Sequence, residues 1–190
     1  MAIATLPQAS AVTSLIASHS PHTVHAAHHL NLALQVLHNL QYQHDWTTLR
    51  IHKYSPLTKG PLPRPLISGL PPHRIYVHPD DQVDELKRGV KDGEGNVERE
   101  WVLPTHLKEK WSLRRFAEVF DAVGEEPPMD EATDTDRDDL AIEFQETPPE
   151  DEKNSTKRRG GKRLLLATVG DDSTVVYYIM HDGIVKPRQN

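Results

Sequence analysis

A short run near the C-terminus of this chain limits how it can fold. Residues 174–180 read Thr-Val-Val-Tyr-Tyr-Ile-Met, a strand-forming sequence. A strand alternates its side chains, so both faces of this one are apolar: Val175, Tyr177 and Ile179 lie on one face, and Val176, Tyr178 and Met180 on the other. Two apolar faces need cover on both sides, and an apolar strand left at a sheet edge pairs readily with another chain. The run therefore predicts assembly.

A hairpin is predicted around this run. Residues 162–169, KRLLLATV, have the pattern of a buried strand, and Gly170-Asp171-Asp172-Ser173 is a turn sequence. After the second strand, His181-Asp182-Gly183 turns the chain into residues 184–187. From the residues alone, Asp171 and Asp172 are ordinary turn residues.

Two helices are predicted upstream of the hairpin. The first covers about 21–43, capped by Ser20 with Pro21 at its first position, and its buried stripe is Val24, Ala27, Leu30, Leu34, Leu37 and Leu40. The second begins after Thr105 as cap and runs to about Val123, ending at Gly124, with the buried stripe Leu113, Phe116, Ala117, Phe120 and Val123.

Strands are predicted at 46–54, 74–78 and 97–103. Prolines fill the section between the first two of these strands, so it is predicted as a connection with one short extended piece at 66–68; they are Pro56, Pro61, Pro63, Pro65, Pro71 and Pro72. Together with the hairpin, these elements predict an α+β fold with a mixed β-sheet flanked by helices.

The charge is distributed unevenly along the chain. Residues 125–152 contain 13 acidic residues and one basic residue, a net charge of −12, so with −6 for the whole chain the remainder carries +6. We expect a disordered segment at 1–19 and a single domain at 20–190, interrupted by a disordered acidic and basic insertion at about 125–161. Basic residues follow the acidic part of the insertion and continue just beyond its end: Lys157, Arg158, Arg159, Lys162 and Arg163. These residues either are simply solvated, or contact RNA phosphates, or act as a nuclear-import signal.

Several classes of protein and site are excluded or disfavoured by composition. The chain has no cysteine, which excludes disulfides, thiolate metal sites and a cysteine nucleophile. No run approaches the ~20 apolar residues that span a bilayer, and the N-terminal residues lack the basic start of a secretory signal. His22, His25 and His29 have a spacing that zinc or nickel could use on a helix, but no carboxylate or thiolate follows until Asp45. No metal and no cofactor are predicted.

Three stretches resemble a known family. ATVGDDSTVVYYIMHDGIVKPRQN is similar to the C-terminus of the smallest, non-catalytic subunit of the eukaryotic tRNA-splicing endonuclease, in the tRNA-intron endonuclease family. PRPLISGLPPHRIYVHPDDQVDEL and REWVLPTHLKEKWSLRRFAEVFD resemble the fungal form of this subunit. The resemblance covers roughly 28–124 and 162–190, and it implies the restriction-endonuclease-like fold of the catalytic domains in this family.

The resemblance implies no catalytic residue in this chain. Related nuclease subunits cleave RNA without a metal, through a base, an acid and a cation supplied by Tyr, His and Lys. This chain has such residues but lacks the Gly-, Phe- and Asp-rich stretch that carries the catalytic Tyr and His. His106 is interpreted as a surface or capping residue, and Tyr177 and Tyr178 as packing residues.

The resemblance also implies a subunit interface. In this family, subunits pair through a strand near the C-terminus, and an acidic loop before it docks into a basic pocket on a neighbouring subunit. These elements correspond here to Asp171 and Asp172 and to the strand Thr174, Val175, Val176, Tyr177, Tyr178, Ile179 and Met180.

The predicted function is that of a non-catalytic structural subunit. Its expected partners are the catalytic and structural subunits of the endonuclease and, through the complex, precursor tRNA; isolated, it is expected to form a homodimer. The expected location is the nucleus, with the cytosolic face of the mitochondrial outer membrane as the alternative. Two other functions stay open: an RNA-binding adaptor acting through KRRGGKR, and a metal-independent ribonuclease with an unrecognised Tyr, His and Lys set.

Overall fold

The computed structural model describes residues 24–77, 97–128 and 161–183, with the shorter pieces 10, 14, 82–83, 86–89 and 140–141. This part of the chain contains two helices, α1 (Ala27–Gln43) and α2 (Leu113–Ala122). Its strands are β1 (Thr47–Tyr54), β2 (Pro61–Leu70), β3 (Glu100–His106), β4 (Leu140–Ala141), β5 (Arg163–Val169) and β6 (Val175–His181).

The strands form one mixed sheet in the order β4-β1-β2-β3-β5-β6. β3 and β5 are parallel, with Val102 opposite Leu165, and the other neighbouring pairs are antiparallel. The predicted α+β class with a mixed sheet and flanking helices is confirmed.

α1 covers one face of the sheet. Apolar side chains recur along it every three or four residues, so they form one stripe that packs on the strands. The buried members of this layer are Leu30, Ala33, Leu34, Val36, Leu37 and Leu40 on α1, with Trp46 just before β1 and Leu49, Ile51, Ile67, Val102, Leu165, Ala167 and Val169 on the strands. The predicted stripe is wrong at Val24 and Ala27, which are exposed because the helix begins only at Ala27, after an N-cap at Ala26. Ser20 and Pro21 lie outside the described residues.

α2 covers the opposite face, in contact with side chains that alternate with those under α1. This second layer consists of Leu62, Leu66, Trp101, Leu103, Val119, Phe120, Val123 and Leu164. The predicted start of the helix is wrong. Ser112 is the N-cap, with its Oγ accepting from the Arg115 N–H at 3.4 Å, whereas Thr105 belongs to β3 and its hydroxyl donates to the Ala167 carbonyl. Leu113 and Ala117 are therefore exposed, Leu113 at 89%.

Two predictions about the proline-rich section are wrong. Residues 61–70 form a full strand instead of a connection. Prolines are tolerated in its first half because the pairing of β2 with β3 begins only at Ile67. The half of β2 with prolines thus has an edge where a missing N–H costs no hydrogen bond. Residues 74–77 form no strand; Tyr76 instead packs against His181, with ring centroids 4.8 Å apart. The strand predicted at 97–103 begins and ends three residues later, at Glu100–His106.

The C-terminal hairpin is confirmed. β5 and β6 pair without a bulge from Arg163 opposite His181 to Val169 opposite Val175. The turn is closed by the Gly170 N–H, which donates to the Thr174 carbonyl at 2.8 Å. Residues 184–187 lie outside the described residues, as do most of 1–19 and 125–161, so disorder in those segments stays a prediction. No helix in the described ranges is long and apolar enough to cross a membrane.

A buried histidine lies between the central strands. His52 is hydrogen-bonded to Ser68, with 2.8 Å between Nε2 and Oγ, and its ring lies edge-on to Trp101. Burial, reinforced by the charges of Arg50 and Arg99, lowers the pKa of His52 to about 3. The folded protein therefore holds this imidazole neutral at any pH well above 3.

We predict that the free energy of unfolding falls between pH 7 and pH 5. The unfolded chain protonates His52 near its ordinary pKa of about 6.5, whereas the folded chain does not, so acid favours unfolding by roughly 2 kcal/mol at pH 5. Urea unfolding at both pH values measures this. His52→Gln should remove about that much of the pH dependence, and His73→Gln, in an exposed loop, should leave it unchanged. An equal pH dependence in wild type and His52→Gln would contradict the assignment.

Candidate subunit interface

β6 is an edge strand. It pairs with β5, and no other strand of the described residues lies on its other side. The hydrogen bonds from Gly170 to Thr174 and from Asp182 to Lys162 fix which residues of β6 turn their main-chain groups toward β5. Because these groups alternate along an antiparallel strand, the N–H and C=O groups of Val175, Tyr177 and Ile179 point away from the sheet.

The face of β6 that lies under α1 is partly covered. Val175 and Tyr177 pack against the layer beneath this helix. The Tyr177 hydroxyl donates to Asn39 Oδ1 at 2.6 Å, and burial raises the pKa of this phenol. Tyr177 thus acts as a packing residue with one satisfied polar atom.

The opposite face of β6 extends beyond the cover of α2. Met180 packs against the second layer, but Val176 is 44% and Tyr178 56% exposed. Ile179, on the α1 side, is also partly exposed. The described part of the chain therefore covers only part of the two apolar faces, and the edge of β6 that it leaves unpaired lies beside exposed apolar side chains.

The turn before β6 holds its two carboxylates differently. Asp172 Oδ1 accepts from the Thr174 N–H at 3.1 Å and so stabilises the turn itself. Asp171 is exposed; its Oδ2 lies 2.6 Å from Lys108 Nζ, and its Oδ1 lies 3.4 Å from His106 Nε2. The hydrogen bond with Lys108 lowers the pKa of Asp171. The prediction that Asp171 and Asp172 dock on another subunit stays a prediction, and Lys108 is a neighbour that sequence reasoning missed.

The predicted RNA-contacting residues lie in different environments. Lys157, Arg158 and Arg159 are outside the described residues, and Lys162 Nζ donates to the Phe120 carbonyl at 3.2 Å. Arg163 does not suit phosphate contact, because its side chain is only 7% exposed and pairs with Glu98 and Glu100. Burial alone would lower the pKa of Arg163, but the hydrogen bonds and charges of these two carboxylates raise it.

The structure shows contacts of two histidines that sequence reasoning missed. His106 ends β3 instead of capping a helix, and its Nδ1 accepts from the Lys108 N–H at 3.2 Å. His25 lies before α1 and its Nε2 is 2.9 Å from the Lys53 carbonyl. His19 and His22 lie outside the described residues, and within the described ranges no three histidine or carboxylate side chains are grouped to hold a metal ion.

Comparison with known proteins gives the family. The model of the family described as Sen15 protein matches residues 35–142 and 128–190. The chain belongs to the Sen15 family. A curated relative from Neurospora crassa, named probable tRNA-splicing endonuclease subunit tsp-1, is 44% identical over 189 residues, which cover 97% of this chain and 75% of the relative.

The resemblance predicted from the sequence is thus confirmed at the level of the family. In this Sen15 chain the second matched segment includes the whole β5–β6 hairpin. The stretches that suggested the family contain most of β2 and α2, all of β3 and β6, and the last three residues of β5.

We predict that Arg163→Met destabilises this Sen15 protein by about 3 kcal/mol, because it removes the buried cation that pairs with Glu98 and Glu100. The matched control is Arg114→Met, which removes the exposed pair with Glu118 and should cost under about 0.5 kcal/mol. The double variant Glu100→Gln with Arg163→Met should recover part of the loss. Urea midpoints measure all three, and equal midpoints for the two arginine variants would refute the prediction.

Proposed function

We propose that this Sen15-family chain is a non-catalytic structural subunit of a tRNA-splicing endonuclease, with the restriction-endonuclease-like fold of that enzyme family. In this proposal it pairs with a catalytic subunit through β6, so that the complex can excise introns from precursor tRNA. The role in tRNA splicing rests on the Sen15 family and on the name of the Neurospora relative. The observation that carries the strand pairing is the free edge of β6 beside exposed Val176 and Tyr178.

Strand pairing would use both kinds of group that β6 presents. The outward N–H and C=O groups of Val175, Tyr177 and Ile179 can extend the sheet into a partner, and this pairing sets the register. Val176 and Tyr178 can supply the apolar contact that makes the pairing cohesive. A second copy of the chain presents the same strand, so the isolated protein is proposed to dimerise.

The absence of a catalytic role is supported by how the candidate groups are engaged. A general base must be unprotonated and able to reach the substrate. Tyr177 donates its proton to Asn39 and has a raised pKa, and His106 lies between Asp171 and the Lys108 main chain. The Tyr177 phenol is therefore engaged in packing and in a hydrogen bond that disfavour its deprotonation.

We predict that Val176→Lys combined with Tyr178→Lys prevents copurification of the other endonuclease subunits and leaves the isolated chain monomeric. The substitutions place two charges on the exposed face of β6 without removing a buried side chain, so the melting temperature should change by only a few degrees. Leu57→Lys, at an exposed position in the β1–β2 turn, is the control. If the double variant copurifies with the same partners as wild type, pairing through β6 is wrong.

We predict that Asp171→Lys lowers the yield of the assembled complex while folding is nearly unchanged, since Asp171 is exposed and its partner Lys108 is exposed too. Asp182→Lys reverses a charge at the exposed far end of the same hairpin and serves as the control. Size-exclusion chromatography of the coexpressed subunits gives the yield, and circular dichroism gives the melting temperature. Docking of the turn is contradicted if both variants assemble as well as wild type.

A further inference from the structure

A groove of about 590 Å³ lies between the N-terminal half of α1 and the loop that joins β3 to α2. From α1 it is lined by His28, His29 and Leu32, and from the loop and the first turn of α2 by Lys108, Lys110 and Arg115. None of the residues predicted as a site lies in this groove. The proposed function does not use it either.

The groove is positively charged. Among the described residues, Glu109 is the one acidic residue that lines it, and Arg64 neutralises this carboxylate through two hydrogen bonds of 2.6 and 3.1 Å. Asp171 partly neutralises Lys108. Lys110 and Arg115 have no carboxylate partner among the described residues, so their charges are available to a ligand.

Arg115 is held in position for a ligand. One of its guanidinium nitrogens donates to the Lys110 carbonyl at 2.7 Å, and its guanidinium carbon lies 4.6 Å from the centre of the Trp111 ring. These contacts fix the plane of the side chain and leave its other donors for an anion. An arginine fixed in this way loses little entropy when it binds phosphate.

The α1 side of the groove offers rings instead of charges. His28 and His29 have ring centroids 3.9 Å apart, and Leu32 adds an apolar surface beside them. Burial, followed by the charge of Arg64, lowers the pKa of His29 to about 4, so this ring is neutral near pH 7. A neutral aromatic ring opposite cations is a pairing of surfaces that suits single-stranded nucleic acid, with a base on the ring and phosphates on the cations.

We propose that this groove binds a short single-stranded segment of RNA. Lys110 and Arg115 contact its phosphates, and the rings of His28 and His29 contact a base. An acidic peptide would satisfy the cations but would make no use of the rings, so the lining favours RNA. This inference rests on the proposed function, because a subunit of a tRNA-splicing complex meets RNA.

The test is binding of a fluorescein-labelled ten-nucleotide oligouridine to the full-length chain, followed by fluorescence anisotropy at several salt concentrations. Lys110→Glu and Arg115→Glu should each weaken binding roughly three- to tenfold and reduce the slope of log K against log salt by about 0.7. Arg114→Glu is the matched control, since Arg114 is the adjacent arginine, pairs with Glu118 and does not line the groove. It should bind like wild type.

Lys110→Glu and two further measurements, with a glutamate peptide and with a variant of the basic run, decide whether the groove binds RNA. The Lys110 side chain makes no bond within the described part of the chain, so Lys110→Glu still tests the groove even if Arg115→Glu unfolds the chain. Equal binding by Lys110→Glu and wild type overturns the proposal, as does equally tight binding of a ten-residue glutamate peptide. Replacement of Lys157, Arg158 and Arg159 by Glu should leave most of the binding; loss there, with none in Lys110→Glu, also overturns it.

Failure of this proposal and of the proposed function can be distinguished. If the chain copurifies with endonuclease subunits but does not bind oligouridine, the groove assignment falls and the subunit role stands. If it binds oligouridine through Lys110 but copurifies with no subunit, the RNA groove stands and the subunit role falls.

Discussion

The parallel pairing of β3 with β5 is the interaction on which the rest of the structure depends. From Glu100 to Thr105, every residue of β3 is buried, and five successive pairs join it to β5. A strand buried on both faces needs cover from both sides, which α1 and α2 supply. Each buried Leu or Val adds roughly 1.5–3 kcal/mol of apolar burial, so the two layers under the helices provide most of the cohesion of the fold.

The positions of the two helices explain where the surface remains incomplete. α1 reaches β6 and covers Val175 and Tyr177, whereas α2 is centred on Trp101, Leu103 and Leu164. Cover on the α2 side therefore ends before Val176 and Tyr178. The apolar edge results from one helix being positioned further along the sheet than the other.

Buried charges fix the two ends of β3. At its start Glu100 pairs with Arg163, and just beyond its end Glu109 pairs with Arg64, which itself is almost fully buried. Buried pairs add little net stability, but breaking one by removing a single partner is costly. The pair at the end of β3 also neutralises Glu109, which is the one acidic residue of the described chain that lines the groove beside α1.

Sequence reasoning worked where neighbouring residues decide the outcome. The hairpin, its turn at Gly170–Ser173 and the middle of α1 were predicted, because period and turn residues specify them locally. Sequence reasoning failed at β2, because prolines predict a connection unless it is known that one edge of the strand makes no hydrogen bonds. It also failed at Thr105, which reads as a helix cap but is a strand residue bonded to Ala167, 62 positions away.

The candidate sites divide in the same way. The two apolar faces of residues 174–180 could be read from the sequence, but their exposure depends on how far each helix extends. Arg163 reads as part of a basic run, yet it is buried against Glu100, a residue 63 positions earlier. The groove has no sequence signature, because His28, Lys110 and Arg115 come together only when α1 packs beside the β3–α2 loop.

The sequence alone determined the family, the α+β class and the strand with two apolar faces, since alternation and helical spacing are properties of consecutive residues. Only the tertiary structure decided that β6 lies at an edge of the sheet, that the Arg163 side chain is buried and that a basic groove forms beside α1. Burial and charge pairing depend on residues far apart in the chain, and their positions are fixed only when the sheet and both helices are packed together.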